Sequence, residues 1–154
     1  MSSGPAGGAP LRLAPEASAT RGAGPVLGVG AVVVDGSKLL LVRRGHGPAR
    51  GKWAVPGGKV QLGEPLEQAV LRELAEETGL VGICGDLQGW AEMTGPGSHY
   101  VVLDFAVTVS EPGTAQAGSD AAEVAWVPLE ELGELDLAPG MENWLHASGL
   151  IPPP

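Results

Sequence analysis

Five glutamates and an arginine fall within one short stretch, Gly58 to Leu80 (GKVQLGEPLEQAVLRELAEETGL), and the spacing of Glu73, Glu76 and Glu77 is one that a helix turns into a cluster. Gly63-Glu64-Pro65 reads as a helix start, because proline at the first turn lacks only an N–H that would have no intrahelical partner. Gly79 reads as the end, about four turns later, as a residue that tolerates positive φ. Leu66, Val70 and Leu74 recur at i, i+4 and form one apolar stripe. Glu73, Glu76 and Glu77 sit at i, i+3 and i+4, so their carboxylates share a face. Like charges this close destabilise a helix by a few tenths of a kcal/mol per pair, so something positive is expected among them. A solvated acidic face bridged to Arg72 would meet that need. So would Mg²⁺ or Mn²⁺, which suit hard carboxylate oxygens and can share a phosphate-bearing substrate.

The whole pattern decides between these readings. Gly58, Glu64, Arg72-Glu73-Leu74, Glu76-Glu77 and Gly79-Leu80 together resemble the Nudix box, with no departure at any defining position. The resemblance implies an α/β class chain with the Nudix fold, an α/β/α sandwich with a mixed β-sheet and a catalytic loop-helix-loop. It also implies hydrolysis, with divalent metal, of a phosphoanhydride in a nucleoside diphosphate linked to another moiety. By position, Glu73 and Glu77 would be the main metal ligands, Glu76 a third ligand or a partner through water, and the Gly57 carbonyl a further contact. Glu64 would be an additional acid, and Arg72 would orient Glu73. The general base is left open among Glu73, Asp120 and Glu123, the last two in the acidic segment GSDAAEVAW. The cofactor implied is Mg²⁺ or Mn²⁺, and the partner a small nucleotide. A homodimer is a family expectation only.

Composition narrows the alternatives. The net charge is −9, and of nine Lys and Arg residues six lie between Lys38 and Lys59 and none follows Arg72. A nucleic-acid binder would present a basic face, so no nucleic-acid partner is expected. Arg43, Arg44, Arg50 and Lys52, just before the box, are candidates for a phosphate or a terminal ribose. A single cysteine, Cys84, excludes an internal disulfide and a cysteine-based zinc cluster. No apolar run is long enough for a bilayer and no leader pattern opens the chain, so a soluble cytoplasmic protein without membrane partners is the expectation.

Three segments are expected. Residues 1–24, rich in Gly, Ala, Pro and Ser, read as a flexible tail, 25–148 as the Nudix domain and 149–154 as a proline-rich tail. Predicted strands run over Leu27–Val34, Lys38–Arg43, Lys59–Gln61, Gln88–Thr94, His99–Val109 and Glu123–Val127. A short helix or turn is predicted from Pro128 to Leu132, and a helix with Trp144 inward over Met141–Ala147. Trp53, Trp90, His99 and Tyr100 are candidates to stack on a base, although core packing is the commoner fate of tryptophan.

The box leaves the substrate open. In the family, ADP-ribose pyrophosphatases often carry a proline sixteen residues after the box, and Pro96 stands there, in a Gly-Pro-Gly turn that explains a proline without any substrate. The stretch Leu137 to Met141 lacks the paired aspartates common in members that act on oxidised purine triphosphates. ADP-ribose therefore leads, a nucleoside triphosphate follows, and a non-catalytic metabolite-binding domain is the third reading. That third reading is disfavoured because such domains usually have eroded boxes.

Overall fold

The computed structural model describes residues 24–46, 49–118 and 121–152. Strand β1 (Val26–Val32) is apolar and runs through the centre of a sheet ordered β5-β1-β7-β6. Its neighbours are β5 (Gly57–Lys59), antiparallel, and β7 (Ser98–Val109), parallel. Strand β6 (Gly82–Gly95) pairs antiparallel with β7 and forms the outer edge. A second sheet is built on β3 (Lys38–Arg44), which pairs with β2 (Val34–Asp35), β4 (Trp53–Ala54) and β8 (Ala121–Pro128), all antiparallel. Gly36, at φ 61°, supplies the left-handed turn between β2 and β3.

Helix α1 (Leu66–Thr78) starts one residue later than its proline suggests. Pro65 is the cap, in extended conformation, and Gly79 closes the helix at φ 73° by donating its N–H to the Ala75 carbonyl. The predicted stripe is inward: Val70 and Leu74 are fully buried, with Leu66 partly so. They pack on Val29, Ala31 and Val33, the residues of β1 and its extension that face one side of the sheet. Side chains alternate along a strand, so Val32 belongs to the other side. There it joins Leu39, Leu41, Val55, Leu132 and the short helix α2 (Met141–Ala147), which buries Trp144 and Leu145. Helices thus cover both faces of the β layer, as the α/β/α expectation requires.

Several boundaries differ from the predicted ones. β5 lies at Gly57–Lys59, because its pairing with β1 begins at Gly57↔Gly30 and leaves Gln61 in the turn before α1. β6 starts at Gly82, six residues earlier than the pattern indicates. Its register shifts twice between Cys84 and Gly89, which hides the alternation. Ile151, from the segment read as a tail, is buried in the second core cluster. The expected N-terminal tail lies, up to residue 23, outside the described residues.

Candidate active site

Arg72 is the hub of the acidic cluster. A guanidinium has five N–H donors, and each finds an acceptor here. Nε and one Nη2 bond hold both oxygens of Glu64, at 2.7 and 2.9 Å. Nη1 donates to Glu73 at 2.9 Å and to Glu76 at 3.1 Å. The second Nη2 bond, 3.1 Å, reaches the Lys59 carbonyl on β5 and ties the helix to the sheet edge. The sequence reading gives Arg72 one partner, Glu73; the fork grips Glu64 bidentately and reaches three carboxylates in all.

Glu64 sits in the approach to α1, and its Oε1 also accepts from the Gln61 N–H. These hydrogen bonds, Arg72's first among them, hold its pKa near 2. The same carboxylates push the Arg72 pKa above its already high ordinary value. Glu77 is buried, and accepts the Gly57 backbone N–H at 3.0 Å. Gly58 shows why that strand must be bare. A Cβ there would stand 2.5 Å from the carboxyl carbon of Glu73. Gly57 is equally confined, since its Cβ would run into the Val29 carbonyl oxygen on β1. The two glycines let β5 slide between β1 and the glutamates of α1.

The donor set fits a hard divalent cation in kind: oxygen ligands only, and four carboxylates against one guanidinium. It is not preassembled as a cage. Among the described residues, no three acidic, His or Cys side chains stand close enough to hold a metal ion as they are. Arg72 draws Glu64, Glu73 and Glu76 around itself, while Glu77 turns to Gly57.

The remaining predicted residues divide. Gln116 and Gly118 donate their N–H groups to the carbonyls of Thr78 and Glu77, so the segment before β8 docks on the end of α1. Asp120 follows and lies outside the described residues. Glu123 is on β8, directly across from Arg43, and pairs with it. Lys52 is likewise taken, by Asp136 at 2.9 Å. Arg44 and Arg50 are exposed near the β3–β4 turn. Pro96 lies at the exposed tip of the β6–β7 hairpin. Six residues separate Ser98 from Asp104, level with Gly57 through Gly30, so the tip is about 20 Å along the strand from the glutamates. His99, beside that tip, bonds Glu92 at 2.7 Å, and Trp90 is 63% exposed on the outer strand. Neither is gathered with the carboxylates.

Sequence reasoning missed Asp104. It is buried, on β7, and desolvation raises its pKa to about 7. A lone acid in the apolar run HYVVLDFAVTV was the available signal.

Comparison with known proteins bears on this geometry. The family model for the NUDIX domain matches residues 24–147. An ADP-ribose pyrophosphatase of Methanocaldococcus jannaschii is 35% identical over 113 residues, covering 72% of this chain and 66% of that protein. An oxidized purine nucleoside triphosphate hydrolase of Danio rerio is 51% identical over a shorter 49 residues, 32% of this chain and 31% of that one. The chain thus spans under two thirds of either relative. Among solved structures, the NUDIX domain of Shewanella oneidensis NrtR complexed with ADP ribose superimposes with a TM-score of 0.71 at 27% identity, covering 82% of this chain and 87% of that one.

Proposed function

The chain belongs to the Nudix hydrolase family, and from that premise we propose that it hydrolyses a phosphoanhydride bond in a nucleoside diphosphate linked to a further group. ADP-ribose is the leading substrate, giving AMP and ribose 5-phosphate. The observation that carries this reading is the Arg72 hub, which holds three carboxylates against the Gly57-Gly58 strand with Glu77 buried beside them.

The surplus of negative charge at the hub favours a cation. Glu73, Glu76, Glu77 and the Gly57 carbonyl are the groups we assign to hold Mg²⁺ or Mn²⁺. When bound, such an ion neutralises phosphate charge and lowers the pKa of a coordinated water. The chain's own residues do the positioning. Attack by water forms one P–O bond and breaks the bridging P–O bond, with the second phosphate leaving as an anion. The water's proton needs a basic carboxylate. Glu64, held near pKa 2, is a weak base and serves to lock Arg72. Glu123 is paired with Arg43 on the second sheet. Glu73 also pairs with Arg72, but it faces the bare Gly58 from within the cluster on α1, and it is the base we assign. Arg44 and Arg50 are better placed than the acid-paired Arg43 and Lys52 to meet an outer phosphate or ribose.

The choice of ADP-ribose is supported by the pyrophosphatase relative and by the NrtR domain complexed with ADP ribose. A nucleoside triphosphate is the second reading, supported by the shorter match to the zebrafish hydrolase. Purified protein incubated with ADP-ribose, NADH, nucleoside triphosphates and oxidised dGTP, with Mg²⁺ or Mn²⁺, separates these by product. Glu77→Gln should lower kcat on the order of 100-fold or more while circular dichroism stays native. An unchanged rate would remove Glu77 from the metal set.

A further inference from the structure

Between β7 and β8 the chain crosses the C-terminal end of α1. A 3₁₀ turn over Pro112–Thr114 begins the crossing, and the Trp126 indole N–H fixes it by donating to the Pro112 carbonyl at 3.1 Å. Ala115 packs against the first core cluster. The Gln116 N–H then reaches the Thr78 carbonyl at 3.0 Å, and the Gly118 N–H reaches the Glu77 carbonyl at 2.8 Å. The last four carbonyls of a helix have no intrahelical donor, so each needs one from elsewhere. Gly79 serves Ala75, and this strap serves Glu77 and Thr78. The Glu76 carbonyl, between them, meets the bare Cα of Gly118. A Cβ there would run into that oxygen and stand 2.8 Å from its carbon. Gly118 does not have a positive φ, so it is room and not backbone conformation that demands glycine.

We propose that Gly118 is a positioning residue for the metal-holding carboxylates, which fixes the last turn of α1 and so the direction in which Glu76 and Glu77 leave the helix. This deepens the hydrolase reading and rests on it. Arg72 bonds the Glu76 carboxyl and the Gly57 N–H bonds the Glu77 carboxyl, both at the far end of a long side chain. The strap holds the other end, the backbone from which those side chains spring. Electrostatics favour the same contact. The C-terminal end of a helix carries about half a negative charge. Here that end also bears Glu76 and Glu77, and no basic side chain stands in the last turn. The two strap N–H groups point positive dipoles at the place a lysine or arginine would otherwise occupy.

Making room for one methyl group on Gly118 displaces the strap or the turn by about 1 Å, whereas a metal–oxygen distance tolerates about 0.2 Å. If the strap yields, two carbonyls lose their donors and the turn frays. If the turn yields, Glu76 and Glu77 move with it. Either way the carboxylates are displaced while the buried stripe of α1, on another face, stays packed.

The test compares Gly118→Ala with two further variants of the full chain. Gly113→Ala lies on the same crossing, where an added Cβ meets nothing within 4 Å. Gln116→Pro removes one strap donor and adds no bulk at Glu76. Each protein is freed of metal, titrated with Mn²⁺ by calorimetry, and assayed on ADP-ribose with saturating Mg²⁺. Gly118→Ala should weaken the Mn²⁺ Kd about tenfold or more and lower kcat by a similar factor. KM should stay within about twofold, since the substrate's own contacts are untouched. Gln116→Pro should move both quantities in the same direction, and Gly113→Ala neither. A merely structural role would lower the Tm of Gly118→Ala and leave the Kd of the folded protein unchanged, and that result overturns the inference. So does equal weakening in Gly113→Ala. If Gly118→Ala does not fold, the Kd of Gln116→Pro decides, and an unchanged value again overturns it. If wild type binds Mn²⁺ but cleaves neither ADP-ribose nor a nucleoside triphosphate, the hydrolase reading fails while the Kd ratios still judge the strap. A wild type that takes up no Mn²⁺ ends both.

Discussion

Arg72 and Asp104 are opposite solutions to placing a charged group in a folded chain. Arg72 satisfies all five donors on Glu64, Glu73, Glu76 and the Lys59 carbonyl. Lysine has a point charge and three donors, so Arg72→Lys cannot reproduce the fork. It should lower kcat about 10- to 100-fold, and raise the Mg²⁺ concentration needed for half-maximal rate. Asp104 has burial without a partner, and its pKa rises from 3.8 to about 7. The folded chain therefore binds that proton more tightly than the unfolded chain. Below about pH 4 both states are protonated and Asp104 costs nothing through ionisation. Between pH 4 and 7 the unfolded state ionises first and stability falls, by about 4 kcal/mol at most, after which the penalty is constant. Asp104→Asn should accordingly raise the urea midpoint at pH 8 and leave it nearly unchanged at pH 4. Glu64 titrates with the reverse sign: its contribution is present above its ordinary 4.5 and is lost as pH falls toward 2. The glutamate cluster was legible residue by residue, because helical spacing alone puts Glu73, Glu76 and Glu77 on one face. The arginine's reach to Lys59, thirteen residues away, was not.

At the scale of elements, α1 and β5 work as a unit. The helix start, its buried stripe and its glycine end were readable from a 3.6-residue period and from cap residues. The strand it packs against is three residues long and contains no β-branched side chain, so propensity could not place it. Its position is set by pairing with β1 and by the lack of room for any Cβ. Gly58→Ala would push a methyl group into the Glu73 carboxyl. It should reduce kcat more than tenfold with little change in Tm, because the carboxyl swings away while the helix's buried side stays packed. Assaying rate and thermal midpoint on the same preparation checks both halves of that outcome. On the outer edge, Val81, Ile83, Leu87 and Trp90 of β6 and its approach point outward. Their exposure, with the two register shifts, is why the strand read six residues too short.

For the whole molecule, the acidic balance matters most near the hub. The chain carries 18 Asp and Glu against nine Lys and Arg, with no basic residue beyond Arg72. A divalent cation bound only by the folded state would relieve the local repulsion and stabilise the fold by mass action. At a hundred times its Kd, Mg²⁺ or Mn²⁺ should raise Tm by about 5–10 °C. Differential scanning calorimetry of wild type and of a Glu73→Gln, Glu77→Gln double variant should show the shift in the first and its absence in the second. A shift of equal size in both would mean that the ion binds elsewhere. No described helix is long and apolar enough to cross a membrane.

Local order was encoded locally. Helical period, cap residues and the spacing of four glutamates depend on neighbours a few positions apart, and a single chain carries that information in full. Which groups meet across the sheet depends on register, and register is a contest among distant segments. Only folding could bring Lys59 to Arg72, Gly57 to Glu77, and Asp104 between Gly30 and Gly89. The fate of the basic cluster was decided in the same way, when β8 and the segment before α2 brought Glu123 and Asp136 to Arg43 and Lys52.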